Sequence, residues 1–491
     1  MSRNRIILVT AGIMLSLFLA SMESTVVATA MPTIVGQLGG LEHYSWVFSA
    51  YMLTSTTTVP LYGKLSDIYG RRKLYVFAMA IFLAGSMLSG LAQNMTQLIA
   101  ARSLQGLGAG GILPLAFILI GEMFSLEQRA RMQGWFSGVW GVSSIVGPLL
   151  GGFLVDQLSW RWIFYINVMP GLLGAALVAL AWREQSHGHE RPAIDYAGAA
   201  LLTVSVVMLL LGLMMTGIAS WILIIAAVAL FILLLWVERR AADPILPLPL
   251  FRERLFSIAT AHGILSGWAM FGSVSFIPLF VQAVLGTSAT EAGITITPML
   301  LGWVAASIIG TRLLLIIGHR KLGVIGTACL AVGAFLMSQA GMETSRVSLM
   351  VFVALMGIGM GLSIPAFLIA VQTSVQRRQL GTATSMLQFS RSMGGTLGVS
   401  VMGAALSTRL AANLAAAHLD PGLVRQLLDP LPGSEVVIAE GARLAMANAI
   451  HAVFVIAFFA AALALVVVFF TPHKELTEQL PERGVPPVSA D

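Results

Sequence analysis

Charge is the first thing this sequence lacks. Of its 491 residues only 28 are Lys or Arg and 22 are Asp or Glu, together 10%, whereas 57% are hydrophobic. Soluble proteins carry about 25% charged residues, so this chain has too few charges to cover a water-exposed surface of its size. The composition excludes an ordinary soluble enzyme and a disordered chain. It also excludes a nucleic-acid-binding domain, because the net charge of +6 is not gathered with aromatic residues in a basic patch.

Cysteine and the common catalytic signatures are scarce as well. Cys329 is the single cysteine, which excludes an intramolecular disulfide and a cysteine-based zinc site. The sequence contains no Gly-rich loop before a Lys-Ser/Thr pair, no His-Glu-x-x-His and no Gly-x-Ser-x-Gly, so neither an ATP-driven pump nor a membrane hydrolase is predicted. We therefore expect no cofactor and no metal site, and a polytopic membrane protein rather than an enzyme.

Apolar stretches long enough to cross a bilayer are what the sequence has instead. A helical span needs about 20 mostly apolar residues, and fourteen such stretches predict an all-α polytopic protein. The predicted spans 1 to 14 are residues 6–35, 44–65, 73–93, 96–122, 132–155, 160–182, 194–216, 219–238, 255–284, 292–318, 321–341, 346–372, 380–407 and 445–471.

Basic residues are distributed unevenly between the two sides of these spans. If the N-terminus is cytoplasmic and the sides alternate, twenty of the 28 Lys and Arg residues fall in cytoplasmic segments. Five are external (Arg161, Arg346, Arg409, Arg425 and Arg443) and three lie within spans (Arg102, Arg312 and Arg391). Because cytoplasmic loops are enriched in Lys and Arg, the bias predicts that both termini are cytoplasmic and supports an even number of spans.

Two pairs of segments repeat at nearly the same offset along the chain. Gly63–Lys73 resembles Thr311–Lys321 at an offset of 248 residues, and Gly147–Gly151 resembles Gly394–Gly398 at 247. The shared offset matches spans 1–6 to spans 9–14, an arrangement of two parallel repeats that is typical of transporters. The predicted domains are a six-helix bundle over 1–190, two inserted helices over 191–240, a second bundle over 241–471 with an external loop at 408–444, and a disordered cytoplasmic tail over 472–491.

Five short motifs lie in the first six spans. They are Glu23–Pro32, Gly63–Lys73, Arg102–Gly108, Gly147–Gly152, and Trp160–Asn167 followed by Pro170-Gly171. In these motifs, and over nearly its whole length, the sequence resembles the major facilitator superfamily. Within it, the sequence is similar to the fourteen-helix drug:proton antiporters, which export many different drugs and quaternary ammonium compounds. That family usually has Asp at the position of Glu23 and often Asn at Ala28, so the carboxylate is retained here with a longer side chain.

The resemblance implies a fold and an activity. It implies two six-helix bundles with two inserted helices, acting as a proton-coupled antiporter that exports amphipathic or cationic drug-like compounds by alternating access. It also implies a monomer in the cytoplasmic membrane of a bacterium, driven by the proton gradient without another cofactor. Export of a lipid, a lysolipid or another hydrophobic metabolite is the alternative, since apolar cavity walls suit these equally well. A membrane-embedded enzyme or binding protein is a more remote alternative.

Glu23 and Arg102 are the predicted proton-coupling residues. Glu23 is the one acidic residue deep in an apolar span, and a carboxylate in the membrane is a functional candidate by default. A proton and a cationic substrate could compete for it. The depths of Glu23 and Arg102 differ by roughly 8 Å at about 1.5 Å per residue, so we predict that the arginine reaches it. A structural hydrogen bond between helices is the alternative role for either residue.

The segment between spans 2 and 3 is predicted to be a cytoplasmic latch. Its residues are Gly63, Asp67, Gly70, Arg71 and Arg72, in which the charged groups can form and break ion pairs at the membrane edge while the glycines permit close approach and tight turning. Topology anchoring is the alternative role of the two arginines. Leu315 stands at the corresponding place in the second repeat, so a symmetric latch is not expected.

Span 5 carries small residues at helical spacing. By the resemblance, Gly147, Pro148, Gly151 and Gly152 form the antiporter motif. Small residues let helices pack backbone to backbone, and a proline allows a bend. The motif thus predicts a sliding, leak-tight interface, with tight packing alone as the alternative.

Candidate substrate contacts combine one acid with polar and aromatic side chains. They are Glu23, Gln105, Phe271, Phe276, Phe280, Gln282 and Arg391. Aromatic side chains of span 9 could form an adaptable apolar wall. Arg391 either contacts substrate or anchors span 13.

Overall fold

The computed structural model describes residues 2–38, 44–182, 195–215, 217–240, 246, 248–287, 289–376, 379–417 and 440–472, in which every regular element is a helix. The elements are α1 (Arg3–Leu38), α2 (Tyr44–Tyr69), α3 (Arg71–Leu91), α4 (Met95–Met123), α5 (Leu126–Gln157), α6 (Trp162–Tyr165), α7 (Val168–Ala181), α8 (Tyr196–Met214), α9 (Ile218–Glu238), a 3-10 turn (Leu250–Arg252), α10 (Arg254–Ala283), α11 (Ala289–Ser338), α12 (Arg346–Ser374), α13 (Leu380–Ala416) and α14 (Glu440–Phe469).

These helices follow the predicted spans in order. The short α6 and α7 together make span 6, and α11 contains spans 10 and 11 on the two sides of Gly318. Ten helices in the described ranges are long and apolar enough to cross a membrane by themselves. An all-helical chain satisfies its backbone hydrogen bonds internally, which the membrane interior requires.

Some helices extend beyond the predicted spans. Helix α5 begins at Leu126 instead of 132, because Ser125 and Gln128 form a reciprocal capping box that starts the helix in the polar segment. Helix α13 continues to Ala416, since its alanine-rich end favours helix beyond the apolar core. The predicted loop over 408–444 is therefore helical up to Ala416 and again from Glu440, where α14 begins. The residues between, 418–439, and the predicted tail over 473–491 lie outside the described residues.

Two glycines at matching positions of the predicted repeat share an unusual backbone conformation. Gly70 has φ 90° between α2 and α3, and Gly318 has φ 79° at the bend of α11. A residue with a β-carbon is strained at such angles, whereas glycine adopts them freely. The same turn thus occurs at the two positions that the offset of 248 residues matches.

One end of the bundle is closed by contacts between the two halves of the chain. This arginine-rich end contains the turns at Gly70 and Gly318 and the α4–α5 connection. Here Leu115–Ile120 of α4 and Ala366–Val371 of α12 belong to one buried apolar cluster, and Gln372 Nε2 donates to the Phe117 carbonyl at 3.4 Å. At the opposite end, separate buried clusters form within residues 19–164 and within residues 269–461. This conformation is therefore sealed at its arginine-rich end.

The inserted helices α8 and α9 pack against each other and reach both halves of the molecule, with α8 contacting α2 and α13. The Asp195 side chain caps α8 by accepting from the Gly198 N–H at 2.7 Å. Glu238, at the end of α9, is 2% exposed and accepts from the Leu246 N–H at 3.3 Å. A second buried acid therefore exists, but it lies at the end of a span, where it fixes the connection to α10.

Candidate functional site

The structure brings Glu23 of α1 and Arg102 of α4 into direct contact. Arg102 Nη1 lies 2.5 Å from Glu23 Oε1, and both side chains are 1% exposed. In a medium of low dielectric the attraction between such charges is strong, but each charge has also lost its water. The pair therefore depends on additional hydrogen bonds to the remaining polar atoms of both groups.

Asn167 supplies one of these bonds from the break in span 6. Its Nδ2 donates to Glu23 Oε2 at 2.7 Å and to Ser86 Oγ at 3.0 Å, while Ser86 in turn donates to the Phe164 carbonyl at 2.9 Å. Span 6 breaks between α6 and α7, and Pro170 is tolerated in the first turn of α7, where its missing N–H is not needed. Asn167 precedes that turn and is fully buried.

Three further groups surround the guanidinium of Arg102. Gln105, one turn along α4, accepts from Nη1 at 2.6 Å, and the Val47 carbonyl of α2 accepts from Nε at 3.4 Å. The ring of Tyr51 lies 4.3 Å from the guanidinium carbon. A cation over an aromatic face is stabilised by the electrons of the ring. Neutral groups from α2 and α4 thus share the positive charge with Glu23.

Two glycines bring the helices close enough for these contacts. A β-carbon on Gly85 of α3 would lie 2.3 Å from the Gln105 backbone nitrogen, and one on Gly106 would lie 2.4 Å from the Tyr51 carbonyl oxygen. Small residues allow such close packing of membrane helices. Close packing of the backbones of α2 and α3 against α4 therefore holds the side chains of the site together.

Two buried polar atoms beside the pair have no hydrogen-bond partner among the described residues. They are Gln105 Nε2 and Asn167 Oδ1. Buried polar atoms are normally satisfied by protein or water, so these two can bind a further polar group. The charge of Arg102 is balanced by the single carboxylate of Glu23, so the polarity of the site depends on the ionisation of that group.

The predicted latch residues lie at the sealed end. A β-carbon on Gly63 would lie 1.9 Å from Ser385 Oγ of α13, so this glycine permits the contact between the halves. Arg71 forms an ion pair with Glu122 of α4 at 3.1 Å. Arg72 is exposed at the start of α3, and the side chain of Asp67 lies outside the described residues. Gly70 forms the turn described above.

The glycines of α5 face two neighbours. Gly134 and Gly141 lie against Ile308 and Val304 of α11, across the boundary between the halves. Within the predicted antiporter motif, Gly147 and Gly151 are buried. The side chain of Pro148 and the surroundings of Gly152 lie outside the described residues.

The remaining substrate-contact candidates do not gather around Glu23. The ring of Phe280 is fully buried, 5.8 Å from that of Phe454. Phe271 packs where a β-carbon of Gly395 would lie, and Phe276 is partly buried in the core of the second half. Arg391 is half-buried on α13. Gln282 lies in α10, and its side chain is outside the described residues.

Three members of the site were not predicted from the sequence: Asn167, Ser86 and Tyr51. Asn167 belongs to the quoted span-6 motif, and its polar amide in an apolar stretch was a usable signal. Ser86 and Tyr51 carried none, because serine and tyrosine are common at helix contacts. Only the packing of α2 and α3 against α4 selects these two residues.

A helical bundle with a repeated architecture and a buried ion pair between its helices is typical of membrane transporters. The model of the Major Facilitator Superfamily matches residues 13–195 and 193–399 of the chain. The protein belongs to this superfamily, as the resemblance implied.

Bacterial and fungal relatives carry transporter names. The chain is 41% identical over 438 residues to the multidrug transporter protein MdtP of Bacillus subtilis, covering 87% of this chain and 79% of the relative. It is 40% identical over 402 residues to multidrug resistance protein 3 of the same organism, covering 80% and 78%. The efflux pump aunC of Aspergillus niger is 32% identical over 442 residues, covering 86% and 83%. Homology to transporters implies that small molecules are the substrates.

Solved structures support the fold alone. The human organic anion transporter MFSD10 matches with a TM-score of 0.65 at 15% identity, covering 94% of this chain and 100% of that one. The proton:xylose symporter XylE matches with a TM-score of 0.62 at 14% identity, covering 96% and 97%. The major facilitator fold predicted from the sequence is confirmed.

Proposed function

We propose that the protein is a proton-coupled antiporter of the fourteen-helix drug:proton family, which exports amphipathic or cationic drug-like compounds across the cytoplasmic membrane of a bacterium. The observation that carries the proposal is the buried pair of Glu23 and Arg102 with its hydrogen-bonding shell. The names of the Bacillus relatives support the drug-like substrate class. The distribution of Lys and Arg supports cytoplasmic termini.

Protonation of Glu23 is the coupling step. The ionised carboxylate accepts from Arg102 and Asn167, and this pairing holds α1 against α4 and α7. A proton on the carboxylate cancels its attraction for Arg102, which leaves Gln105 Oε1 and the Val47 carbonyl as the acceptors of the guanidinium. The contact among the three helices weakens, so that proton binding is linked to their relative movement.

A cationic substrate exchanges with this proton because both need the same carboxylate. Glu23 is 1% exposed in the sealed conformation, so neither can reach it until helices move apart. Alternating access then prevents the proton from leaking through while the substrate is bound. The latch residue Arg71, through its ion pair with Glu122, favours the conformation that is closed at the arginine-rich end.

A screen in reconstituted vesicles tests the function and its alternative together. Vesicles with an imposed pH gradient are supplied with either a fluorescent lipophilic cation or a labelled lysolipid. We expect gradient-dependent transport of the cation that is lost in Glu23→Gln and retained in Glu291→Gln, a matched change in the partly exposed ion pair with Arg346. Transport of the lysolipid alone would show that the substrate is a lipid and not a drug-like cation. Absence of both fluxes would refute the proposal.

A further inference from the structure

A cavity of about 490 Å³ lies beside the inserted helices, away from the ion-pair site. Its walls are formed by α8, α9, α10, α13 and by Leu246, Leu248 and Phe251, which precede α10. The volume falls in the range of about 300–1,000 Å³ that is usual for small-molecule sites. The lining is almost entirely apolar, with side chains such as Val206, Phe231, Ile264 and Met393, so it suits a hydrocarbon chain.

The cavity occupies the half of the membrane next to the arginine-rich end. Thr260 and Ile264 line it and follow the start of α10 by six and ten residues, a depth of about 9–15 Å at 1.5 Å per residue. The lining residues Val228 and Ile232 of α9 are also 52% and 62% exposed. Since the surroundings at this depth are lipid, the cavity opens sideways into one leaflet.

Exposed arginines flank the cavity at the membrane surface. Arg239 and Arg240 follow the lining residue Leu235 by about one turn of α9, and Arg252 directly follows the lining residue Phe251. The guanidinium of Arg240 lies 3.9 Å from the ring centre of Trp236, an arrangement typical of the membrane interface. A cluster of basic residues next to an apolar site is complementary to a lipid with an anionic headgroup.

A single unsatisfied hydroxyl completes the site. Thr260 Oγ1 is buried in the cavity wall without a hydrogen-bond partner among the described residues, and the residue is 5% exposed. It can donate to an ester carbonyl. The site thus matches the parts of a glycerophospholipid in order. Its apolar walls suit the tail, the hydroxyl can bind the ester, and the surface arginines can bind the phosphate.

We propose that this cavity binds one anionic glycerophospholipid from the leaflet at the arginine-rich end, with an acyl chain between the inserted pair and the second half. The lipid fills the gap that separates α8 and α9 from α10 and α13. Because α8 also contacts α2, the bound lipid lies next to the boundary at which the two halves meet. This site is independent of the proposed transport reaction.

Native mass spectrometry of the full chain, released from nanodiscs with equal phosphatidylglycerol and phosphatidylcholine, tests the acyl site. Ala227→Phe fills the cavity from a buried position, and Val228→Trp blocks its mouth from an exposed one, so the second variant folds even if the first does not. We expect at least a threefold loss of retained lipid in both. Ile225→Trp, on the lipid-facing surface outside the cavity, retains wild-type lipid.

The headgroup preference is tested by replacing the surface charges. The triple variant Arg239→Gln/Arg240→Gln/Arg252→Gln is expected to retain the two lipids equally, whereas wild type and the exposed control Arg3→Gln prefer phosphatidylglycerol by at least threefold. Equal retention of both lipids by wild type would overturn the proposal. The proposal would also be overturned if the variants that fill the cavity still retain phosphatidylglycerol but no longer bind tetraphenylphosphonium. The cavity would then be a drug site.

Discussion

Removal of one charge from the Glu23–Arg102 pair is predicted to destabilise the protein asymmetrically. A guanidinium stays charged in a protein, so Glu23→Gln leaves the buried Arg102 with only neutral acceptors, namely the new amide oxygen and the oxygens of Gln105 and Val47. Loss of one partner from a buried pair costs about 3–5 kcal/mol. The amide of the variant also meets Asn167 with a donor in place of an acceptor, so that one hydrogen bond is lost.

Arg102→Met has a smaller expected effect. The carboxyl group of Glu23 can take up a proton and become neutral, which leaves mainly the cost of unsatisfied hydrogen-bonding groups, about 1–3 kcal/mol. In the double variant neither charge remains. We therefore expect Glu23→Gln/Arg102→Met to be more stable than Glu23→Gln alone, with an interaction energy of about 2 kcal/mol, inside the range observed for contacting residues.

The assay is chemical unfolding in detergent micelles, followed by the fluorescence of the ten tryptophans. The same cycle on Glu291 and Arg346, which are 2.9 Å apart but 43% and 30% exposed, serves as the control. There we expect an interaction energy of only about 0.2–1 kcal/mol. Equal losses of stability in the two single variants at the buried pair, or a double variant whose loss is their sum, would show that the two charges are not coupled in this way.

The other predictions concern the sealed end and the shell of the site. Gly63→Ala places a β-carbon against Ser385 and should increase thiol labelling of a cysteine introduced at this end, while adding Ser385→Gly should restore the wild-type level. Charge reversal of Arg71 places two acidic groups together in a pair that is only 16% and 21% exposed, so it should destabilise the protein by more than the value of about 1 kcal/mol that is typical of exposed pairs and should slow transport severalfold; the swap of both charges should restore the rate. Asn167→Leu removes two hydrogen bonds at the site and should destabilise the protein by about 1–3 kcal/mol and reduce substrate-driven proton release.

Matched controls separate these effects from general damage. Gly138→Ala adds a β-carbon to α5 where no atom lies within 4 Å, so wild-type labelling is expected. Ser86→Ala keeps the Asn167–Glu23 bond and should preserve more proton release than Asn167→Leu. Wild-type labelling in Gly63→Ala, unchanged transport after the reversal of Arg71, or wild-type proton release in Asn167→Leu would contradict the corresponding prediction.

The sequence predicts the order of the helices well, because span length and apolar composition are local properties. It also predicts the matched turns at Gly70 and Gly318, where a repeated glycine produces the same backbone angle. The ends of α5 and α13 are missed since capping and alanine-rich extension act beyond the apolar core. The local pattern therefore describes the membrane-embedded part of each helix better than its ends.

Only some residues of the candidate site can be predicted from the sequence. Glu23 and Arg102 stand out because charge is so rare in the spans, and a depth estimate already places them near each other. Asn167 reaches them through a break in span 6, and Ser86 and Tyr51 through close helix approach at Gly85 and Gly106. Such contacts depend on the relative rotation of helices, which a single sequence does not encode locally.

Substrate-driven proton movement in vesicles is the most direct test of the coupling role of Glu23. A lipophilic cation is added to proteoliposomes without an imposed gradient, and a pH-sensitive dye reports the protons that move in exchange. We expect a dye response for wild type and Glu291→Gln, and none for Glu23→Gln folded to the same extent. An undiminished response in Glu23→Gln would show that this carboxylate does not carry the exchanged proton.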